Sequence, residues 1–302
     1  MKTKTYDLII IGSGPGGLTA GIYAARYNLD FLIIGKMPGG AIAEAHKVCN
    51  FPSQNNITGF ELTQKMVEHV KELEGEIKQE EVVELKHEKK NFLIKTNKQE
   101  YLAKRVIMAT GRVKAHLDAK GIKEFEGKGV SYCATCDGAF YKNKNVAVVG
   151  GGNSAITAAL LLAEHSNKIY VIHRRDSFNK TEPAWLKQLE KEEKIESIFN
   201  SEVEEIYGGM NVEGVKLNTG KDLKVEGIFI EVGSYPDSKC LANLEVDKSG
   251  KYIVVDKDQK TSFPGILAVG DVTNNVLKQA ITAAAEGAVA ATTVYKELKL
   301  EK

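Results

Sequence analysis

One supersecondary unit occurs twice in this chain. Asp7-Leu8-Ile9-Ile10-Ile11 is a short apolar run that ends in Gly12-Ser13-Gly14-Pro15-Gly16-Gly17. An Ala-rich segment, Leu18 to Tyr27, follows and reads as a helix, and Phe31 to Ile34 reads as a second strand. The same order returns 138 residues further on, counted from Gly12 to Gly150. There Val146 to Val149 leads into Gly150-Gly151-Gly152-Asn153-Ser154-Ala155, a helix through Ala163 and a strand from Ile169 to Ile172. Apolar runs without alternation belong to strands covered on both faces. Strand, glycine turn, helix and strand form a right-handed βαβ unit. The chain is therefore expected to be α/β, with two nucleotide-binding halves.

The glycine spacing says what those halves hold. Gly12-x-Gly14-x-x-Gly17 fits the dinucleotide fingerprint, in which the first glycine makes a tight turn, the second admits a pyrophosphate and the third lets helix and strand pack closely. The helix N-terminus then directs amide donors and its positive dipole end at the phosphates. One usual part is missing, because the second strand ends at Ile34-Gly35-Lys36 without an acid to hold a ribose hydroxyl. Ribose contacts must come from elsewhere. The second loop, Gly150-x-Gly152-x-x-Ala155, carries the alanine that the fingerprint permits at its third position. Its second strand ends in His173-Arg174-Arg175, and guanidinium forks suit a 2′-phosphate dianion. This half is expected to bind NADPH, the competing reading being that Arg174 and Arg175 are solvated loop charges.

Between the repeats, Leu62 to Ile77 is expected to be an amphipathic helix, with Met66, Val70, Leu73 and Ile77 at helical spacing. Short β-prone runs from Glu81 to Ala109 read as an antiparallel meander, and a similar one is expected from Ser201 to Val232. The last segment returns to an apolar strand, Gly265 to Val269, then Gly270-Asp271 and a small-residue helix from about Gln279 to Leu298. Such a helix can bring its backbone close to a neighbour or a ligand.

Composition bounds the rest. The 302 residues are enough for about two domains of ordinary size. With 41 Lys and Arg against 40 Asp and Glu, the chain has no overall field for nucleic acid or anionic lipid, so neither is an expected partner. No apolar run approaches the roughly 18 residues of a spanning helix. The run Leu8 to Ile11 is too short for a signal peptide, and a cytoplasmic protein is expected. There are four cysteines, two of them in Cys133-Ala134-Thr135-Cys136. That spacing can close a redox disulfide whose low-pKa thiolate is a good nucleophile and leaving group. The competing reading, half of a zinc site, needs two more ligands. Cys49 and Cys240 are isolated, and the six histidines include no His-x₃₋₅-His pair, so no metal is expected. Asp137 is placed to act as acid and base for the thiols, or simply to make a turn.

These residues resemble the low-molecular-weight, bacterial and archaeal type of thioredoxin reductase, within the FAD-dependent pyridine nucleotide-disulfide oxidoreductases. The likeness covers nearly the whole chain: Gly12 to Gly17, Ala109-Thr110-Gly111, Gly129-Val130-Ser131-Tyr132, Cys133-Ala134-Thr135-Cys136-Asp137-Gly138, His173-Arg174-Arg175-Asp176 and Gly270-Asp271-Val272. The resemblance implies an α/β fold of two Rossmann-like (doubly wound, three-layer ββα) dinucleotide-binding domains, one inserted in the other. An FAD domain would comprise residues 1–112 and 245–302, and an NAD(P)H domain carrying the cysteines residues 113–244. For FAD it implies Gly12, Ser13, Gly14, Pro15, Gly16, Gly17, Gly35, Gly39, Gly40, Ala41, Asn50, Val83, Ala109, Thr110, Gly111, Gly270, Asp271, Lys278, Gln279 and Ala280. For NADPH, with NADH as the alternative, it implies Gly150, Gly152, Asn153, Ser154, Ala155, His173, Arg174 and Arg175. Electrons would pass from NADPH through flavin to the disulfide and on to a thioredoxin or thioredoxin-like protein. Cys136 would face the flavin, Cys133 attack the partner and Asp137 handle protons. A homodimer is implied, as is rotation of the inserted domain about hinges near Arg112–Lys114 and Cys240–Glu245. The larger disulfide reductases draw a catalytic histidine from a C-terminal interface domain, and no histidine follows His173.

Four positions depart from the family pattern. Asn179 stands where a third phosphate-binding arginine is frequent, Ala41 where glutamine is usual, Cys49 where glutamate is usual and Lys278 where arginine commonly precedes Gln279. Each borders a cofactor position, so flavin potential or electron donor is expected to differ. NADH, ferredoxin or a deazaflavin are the alternative donors, and a non-catalytic redox sensor is the alternative from another functional class.

Overall fold

The computed structural model describes residues 4–300. The chain opens with β1 (Thr5–Ile11), α1 (Pro15–Arg26), β2 (Phe31–Gly35), α2 (Gly59–Glu72), β3 (Glu76–Gln79), β4 (Val82–Glu88), β5 (Asn91–Thr96), β6 (Glu100–Met108) and β7 (Arg112–Lys114). It continues through β8 (Val130–Ser131), α3 (Ala134–Asp137), β9 (Asn145–Val149), α4 (Asn153–Ala163), β10 (Lys168–Ile172), α5 (Pro183–Leu189), β11 (Ile195–Ile198), β12 (Val203–Gly208), β13 (Val212–Leu217), β14 (Asp222–Leu223), β15 (Gly227–Ile230) and β16 (Ser234–Pro236). The last part holds β17 (Lys248–Ser249), β18 (Tyr252–Ile253), β19 (Ile266–Ala268) and α6 (Ala280–Leu300).

Two compact units divide the chain at Val113/Lys114 and at Ser234/Tyr235. The second crossing therefore falls upstream of 244/245. Cys240, Leu241 and Val246 are buried in one cluster with Ile9, Ile11 and Val106, which ties the segment after Tyr235 to the first unit. The crossings lie in β7 and β16, which pair with each other.

The first unit is built on the sheet order β3-β2-β1-β6-β5-β4, with β19 added on β6. Leu8 to Ile11 are buried, Leu8 and Ile10 against the helices and Ile9 and Ile11 against Leu85, Phe92 and Ile94 of the antiparallel strands, as a strand covered on both faces requires. β6 serves two partners: Phe92↔Ala103 and Ile94↔Tyr101 pair it antiparallel to β5, while Ile9↔Val106 and Ile11↔Met108 pair it parallel to β1. The expected antiparallel meander is thus real for β4, β5 and β6, and β6 is at the same time a central strand of the main sheet. α2 starts at a capping box made by Thr58 and Glu61. It stops at Glu72 rather than reaching Ile77, because Glu74 takes a left-handed φ of 61° and the chain turns into β3, where Ile77 pairs with Ile33. α6 lies against α1 so closely that a Cβ at Gly287 would stand 2.1 Å from the Gly16 carbonyl oxygen.

The second unit repeats the plan with the parallel order β11-β10-β9-β15-β8 and a separate antiparallel sheet, β12-β13-β14. The expected meander therefore ends at β14. Gly227-Ile228-Phe229-Ile230 is buried throughout and joins β9 in parallel register, Ile228↔Ala147. Its lack of alternation is the sequence sign of that two-sided burial. Among the described residues, no helix is long and apolar enough to cross a membrane.

Candidate active site

In the first unit, β1 delivers the glycine loop to the C-terminal edge of the sheet. Gly12 has φ +117° and a Cβ there would meet the Ala109 carbonyl oxygen at 2.1 Å, while a Cβ at Gly17 would lie 1.9 Å from the Gly12 carbonyl oxygen. Packing alone demands both glycines. Gly14 differs, since its added Cβ would meet nothing nearer than 3.9 Å. No protein atom needs that glycine, and the space it leaves open lies where the α1 amides and Pro15 begin the helix. Around this opening stand buried Ser13, whose Oγ donates to the Met37 carbonyl at 2.9 Å, and Gly35, whose Cβ would strike that same Oγ. Gly16 packs under Val269 and Ala283. Gly39 and Gly40 follow with positive φ, and Ala41 lies exposed in the turn Gly40–Glu44.

Polar groups gather next to this loop. Ala109 donates its N–H to the Ile11 carbonyl, Thr110 donates its hydroxyl to the Asp237 carbonyl, and Gly111 turns with φ +66° into open space. Gly270, φ +74°, sets Asp271 at the end of β19 and donates its N–H to Glu286 Oε2 at 2.6 Å. Burial pushes the carboxyl of Asp271 up, with Arg112 and Lys278 working against it. Burial pushes Lys278 down, and its ammonium sits 4.7 Å from the Tyr252 ring centroid. Asn50 Nδ2 donates to Gln279 Oε1 at 3.1 Å, so two residues far apart in sequence meet just before Ala280 begins α6.

The missing ribose acid has a neighbour that sequence reading overlooked. A cavity of about 390 Å³ lies at the ends of β2 and β3, lined by Lys36, Gln79, Glu80, Glu81, Asn97 and Lys98. Glu81 pairs with Lys36 at 2.5 Å, directly after Gly35. Val83 is exposed one step along β4, where the register with β5 shifts between Val82 and Glu84. The signal was the acidic pair Glu80-Glu81, hidden because it arrives from β3 rather than from β2.

In the second unit the cradle recurs. Gly150, φ +151°, faces the Glu231 carbonyl at 2.2 Å from an added Cβ, whereas nothing lies within 4 Å of a Cβ at Gly152. Asn153 and Ser154 form the first turn of α4, Asn153 exchanging hydrogen bonds with Glu182, and Ala155 is fully buried. At the end of β10, His173 lies against Gly151 and Phe178. Its pKa is lowered by burial and then by Arg175 and Arg174. Both arginines are exposed, and among the described residues neither forms an ion pair. Asn179 accepts from Ser177 Oγ at 2.6 Å.

The same unit carries the cysteines. Cys133 and Cys136 are joined in a disulfide across α3. Cys133 caps that turn, its Sγ accepting from the Cys136 N–H at 3.1 Å, and Cys136 is the more exposed of the two. Asp137 Oδ2 accepts from buried Ser131 Oγ at 2.6 Å. Of the other cysteines, Cys49 is exposed, and Cys240 is buried with its thiol pushed up to about 12, mainly by burial. Cys240 is thereby inert at neutral pH.

Residues 6–287 match the pyridine nucleotide-disulphide oxidoreductase family. The chain belongs to that family, in its low-molecular-weight thioredoxin reductase branch. It is 39% identical to a thioredoxin reductase of Listeria monocytogenes, across 98% of this chain and 94% of that one. The Bacillus subtilis thioredoxin reductase is 38% identical, across 97% and 95%. Among solved structures, the Lactococcus lactis thioredoxin reductase in its FR conformation superposes with a TM-score of 0.93 at 35% identity, across 98% and 99% of the two chains. The T. acidophilum thioredoxin reductase gives 0.92 at 36%, with the same coverage. Membership in this family implies a flavin and a pyridine nucleotide as cofactors.

Proposed function

We propose that this chain is a thioredoxin-disulfide reductase that takes electrons from NADPH through FAD to the Cys133–Cys136 pair. The observation that carries the reading is a disulfide in the same unit as a glycine cradle flanked by two arginines that form no ion pair among the described residues, in a chain whose other unit repeats the cradle.

The residues suit these groups. Gly14 and Gly152 leave space that no protein atom claims, as a pyrophosphate requires. Asp271, half-buried and without a hydrogen-bond partner among the described residues, is an acceptor suited to a sugar-type hydroxyl. Bound FAD supplies a two-electron carrier between nicotinamide and disulfide. Arg174 and Arg175 orient the nucleotide by its 2′-phosphate, with Asn179 withholding a third cation. In the disulfide the Cys136 amide donates to Cys133 Sγ, and a donor held there favours the Cys133 thiolate once the pair is reduced.

Exchange then runs in two displacements. The Cys133 thiolate attacks one sulfur of the partner's disulfide, forming a mixed disulfide as the partner's own S–S bond breaks and its first thiolate leaves. The Cys136 thiolate attacks Cys133 Sγ, re-forming the Cys133–Cys136 bond and releasing the second thiolate. The two protons given up by the cysteines end on the partner's thiols, with Asp137 as their carrier. The working form in this reading is a cytoplasmic homodimer, which light scattering tests. The decisive experiment is anaerobic stopped-flow reduction of the bound flavin by NADPH and by NADH, followed by turnover with a thioredoxin. Faster reduction by NADPH and loss of turnover in Cys133→Ser are the expected results. Equal rates for both nucleotides reject the phosphate-binding role, and full turnover by Cys133→Ser rejects the exchange chemistry.

A further inference from the structure

We propose that Ser131 is a positioning residue for the thiol chemistry: its hydroxyl ties the Asp137 carboxylate to the Cys133 main chain, so that proton carrier and attacking sulfur keep one geometry. The proposal rests on the exchange reading above. Ser131 ends β8, where it is paired with Phe229 of β15 and only 4% exposed, so its hydroxyl stands on a fixed strand. A hydroxyl has one hydrogen to give and two lone pairs to receive with. Two acceptors compete for that hydrogen, Asp137 Oδ2 at 2.6 Å and the Cys133 carbonyl at 3.4 Å. The shorter, charge-assisted bond wins. The lone pairs face the Cys133 N–H, which donates to Oγ at 3.1 Å.

The result is a directed chain, Cys133 N–H to Ser131 O–H to the Asp137 carboxylate. Cys133 is held at its amide by Ser131 and at its sulfur by the Cys136 amide. With Oδ2 engaged, the carboxylate is kept from rotating freely. A general acid or base contributes only when it stays within hydrogen-bond reach of the group it serves. Removing the hydroxyl leaves the carboxylate in place but unaimed.

The test uses the intact flavoprotein, reduced with stoichiometric dithionite and mixed anaerobically with a low-mass aromatic disulfide. The rate of a single turnover is followed at constant pH. Ser131→Ala is expected to slow that turnover about tenfold. The double variant is expected to be no slower than Asp137→Asn alone, since both break one unit, and Ser131→Thr, which keeps the hydroxyl, is expected to restore the rate. An unchanged rate in Ser131→Ala, losses that multiply in the double variant, or a Ser131→Thr as slow as Ser131→Ala overturns the proposal. Where Ser131→Ala fails to fold, Asp137→Asn carries the test: the Cys133 amide resonance is expected to move in it, since the path from Asp137 to that amide runs through the Ser131 hydroxyl, and an unmoved resonance overturns the proposal. Full turnover by Cys133→Ser is a separate outcome that defeats the exchange reading itself.

Discussion

The two glycine cradles share a backbone and differ in their surroundings. In each, the first glycine has positive φ and its missing Cβ would strike a carbonyl of a neighbouring strand end, Ala109 or Glu231, while the second glycine opens onto empty space. The differences begin at the third position, where Gly17 is jammed against Gly12 but Ala155 carries its methyl in a buried site. They widen at the end of the second strand. There the first cradle has Gly35 and Lys36 with Glu81 reaching over, and the second has His173 and two exposed arginines. The first is also enclosed by Gly39, Gly40 and the close approach of α6 to α1. In the proposed reading one backbone device serves two tasks: an enclosed site suits a cofactor that stays, and an exposed cationic one suits a nucleotide that comes and goes.

The strongest way to break this comparison is to exchange the third positions. Gly17→Ala forces a Cβ onto the Gly12 carbonyl and is expected to cost about 3 kcal/mol of stability, together with flavin loss, whereas Ala155→Gly is expected to cost about 1 kcal/mol. Chemical denaturation of both variants checks it, and equal losses would mean the cradles are not distinguished there.

The second glycines should separate ligand from fold. Gly14→Ala and Gly152→Ala are expected to leave the stability of the ligand-free chain within about 0.5 kcal/mol. The first is expected to weaken FAD binding and the second NADPH binding, each about tenfold or more, measured by flavin fluorescence and by nucleotide titration. A stability loss in either would assign that glycine to packing instead.

Arginine charge sharpens the contrast at the second strand. Arg174→Ala is expected to raise the NADPH Kd about tenfold or more and leave that for NADH nearly unchanged, as loss of a charge-assisted phosphate bond predicts. Asn179→Arg should move the ratio the other way by a few-fold, roughly the scale of one exposed ion pair. Isothermal titration with both nucleotides reads the two effects together.

The smallest effect concerns pH. The pKa of His173 is lowered from 6.5, first by burial and then by Arg175 and Arg174. Its folded value lies below its unfolded one, so its contribution to stability is full above pH 6.5 and is lost as the pH falls through the window below. A bound 2′-phosphate beside the arginines should shift the His173 titration upward. NMR titration of the imidazole with NADPH and NADH checks this, and identical shifts with both would place the phosphate elsewhere.

Legibility in the sequence followed the range of the forces involved. The two βαβ units could be read because strand burial and glycine turns are local. β6 is readable as the third strand of an antiparallel meander, but its parallel pairing with β1 is not, and β15 is mistaken for a meander strand, because the parallel partners β1 and β9 lie far away in the chain. The continuous apolar run Gly227 to Ile230 was the signal that could have corrected the second. Ile77 fits the periodicity of α2, yet the left-handed turn at Glu74 ended that helix before it. In the site, Cys133, Cys136, Asp137 and the glycine loops were readable as motifs. Ser131 was visible only as part of a resemblance, and Glu81 not at all.

By itself, the sequence determined two dinucleotide cradles and a redox cysteine pair, because backbone torsion and sulfur chemistry are set by residue type and spacing within a few positions. Only the tertiary structure decided where the chain crosses between its units, which carboxylate reaches the end of β2, that Asn50 meets Gln279, and that Ser131 joins Cys133 to Asp137. Those contacts depend on the path of the folded chain, and no short-range pattern encodes them.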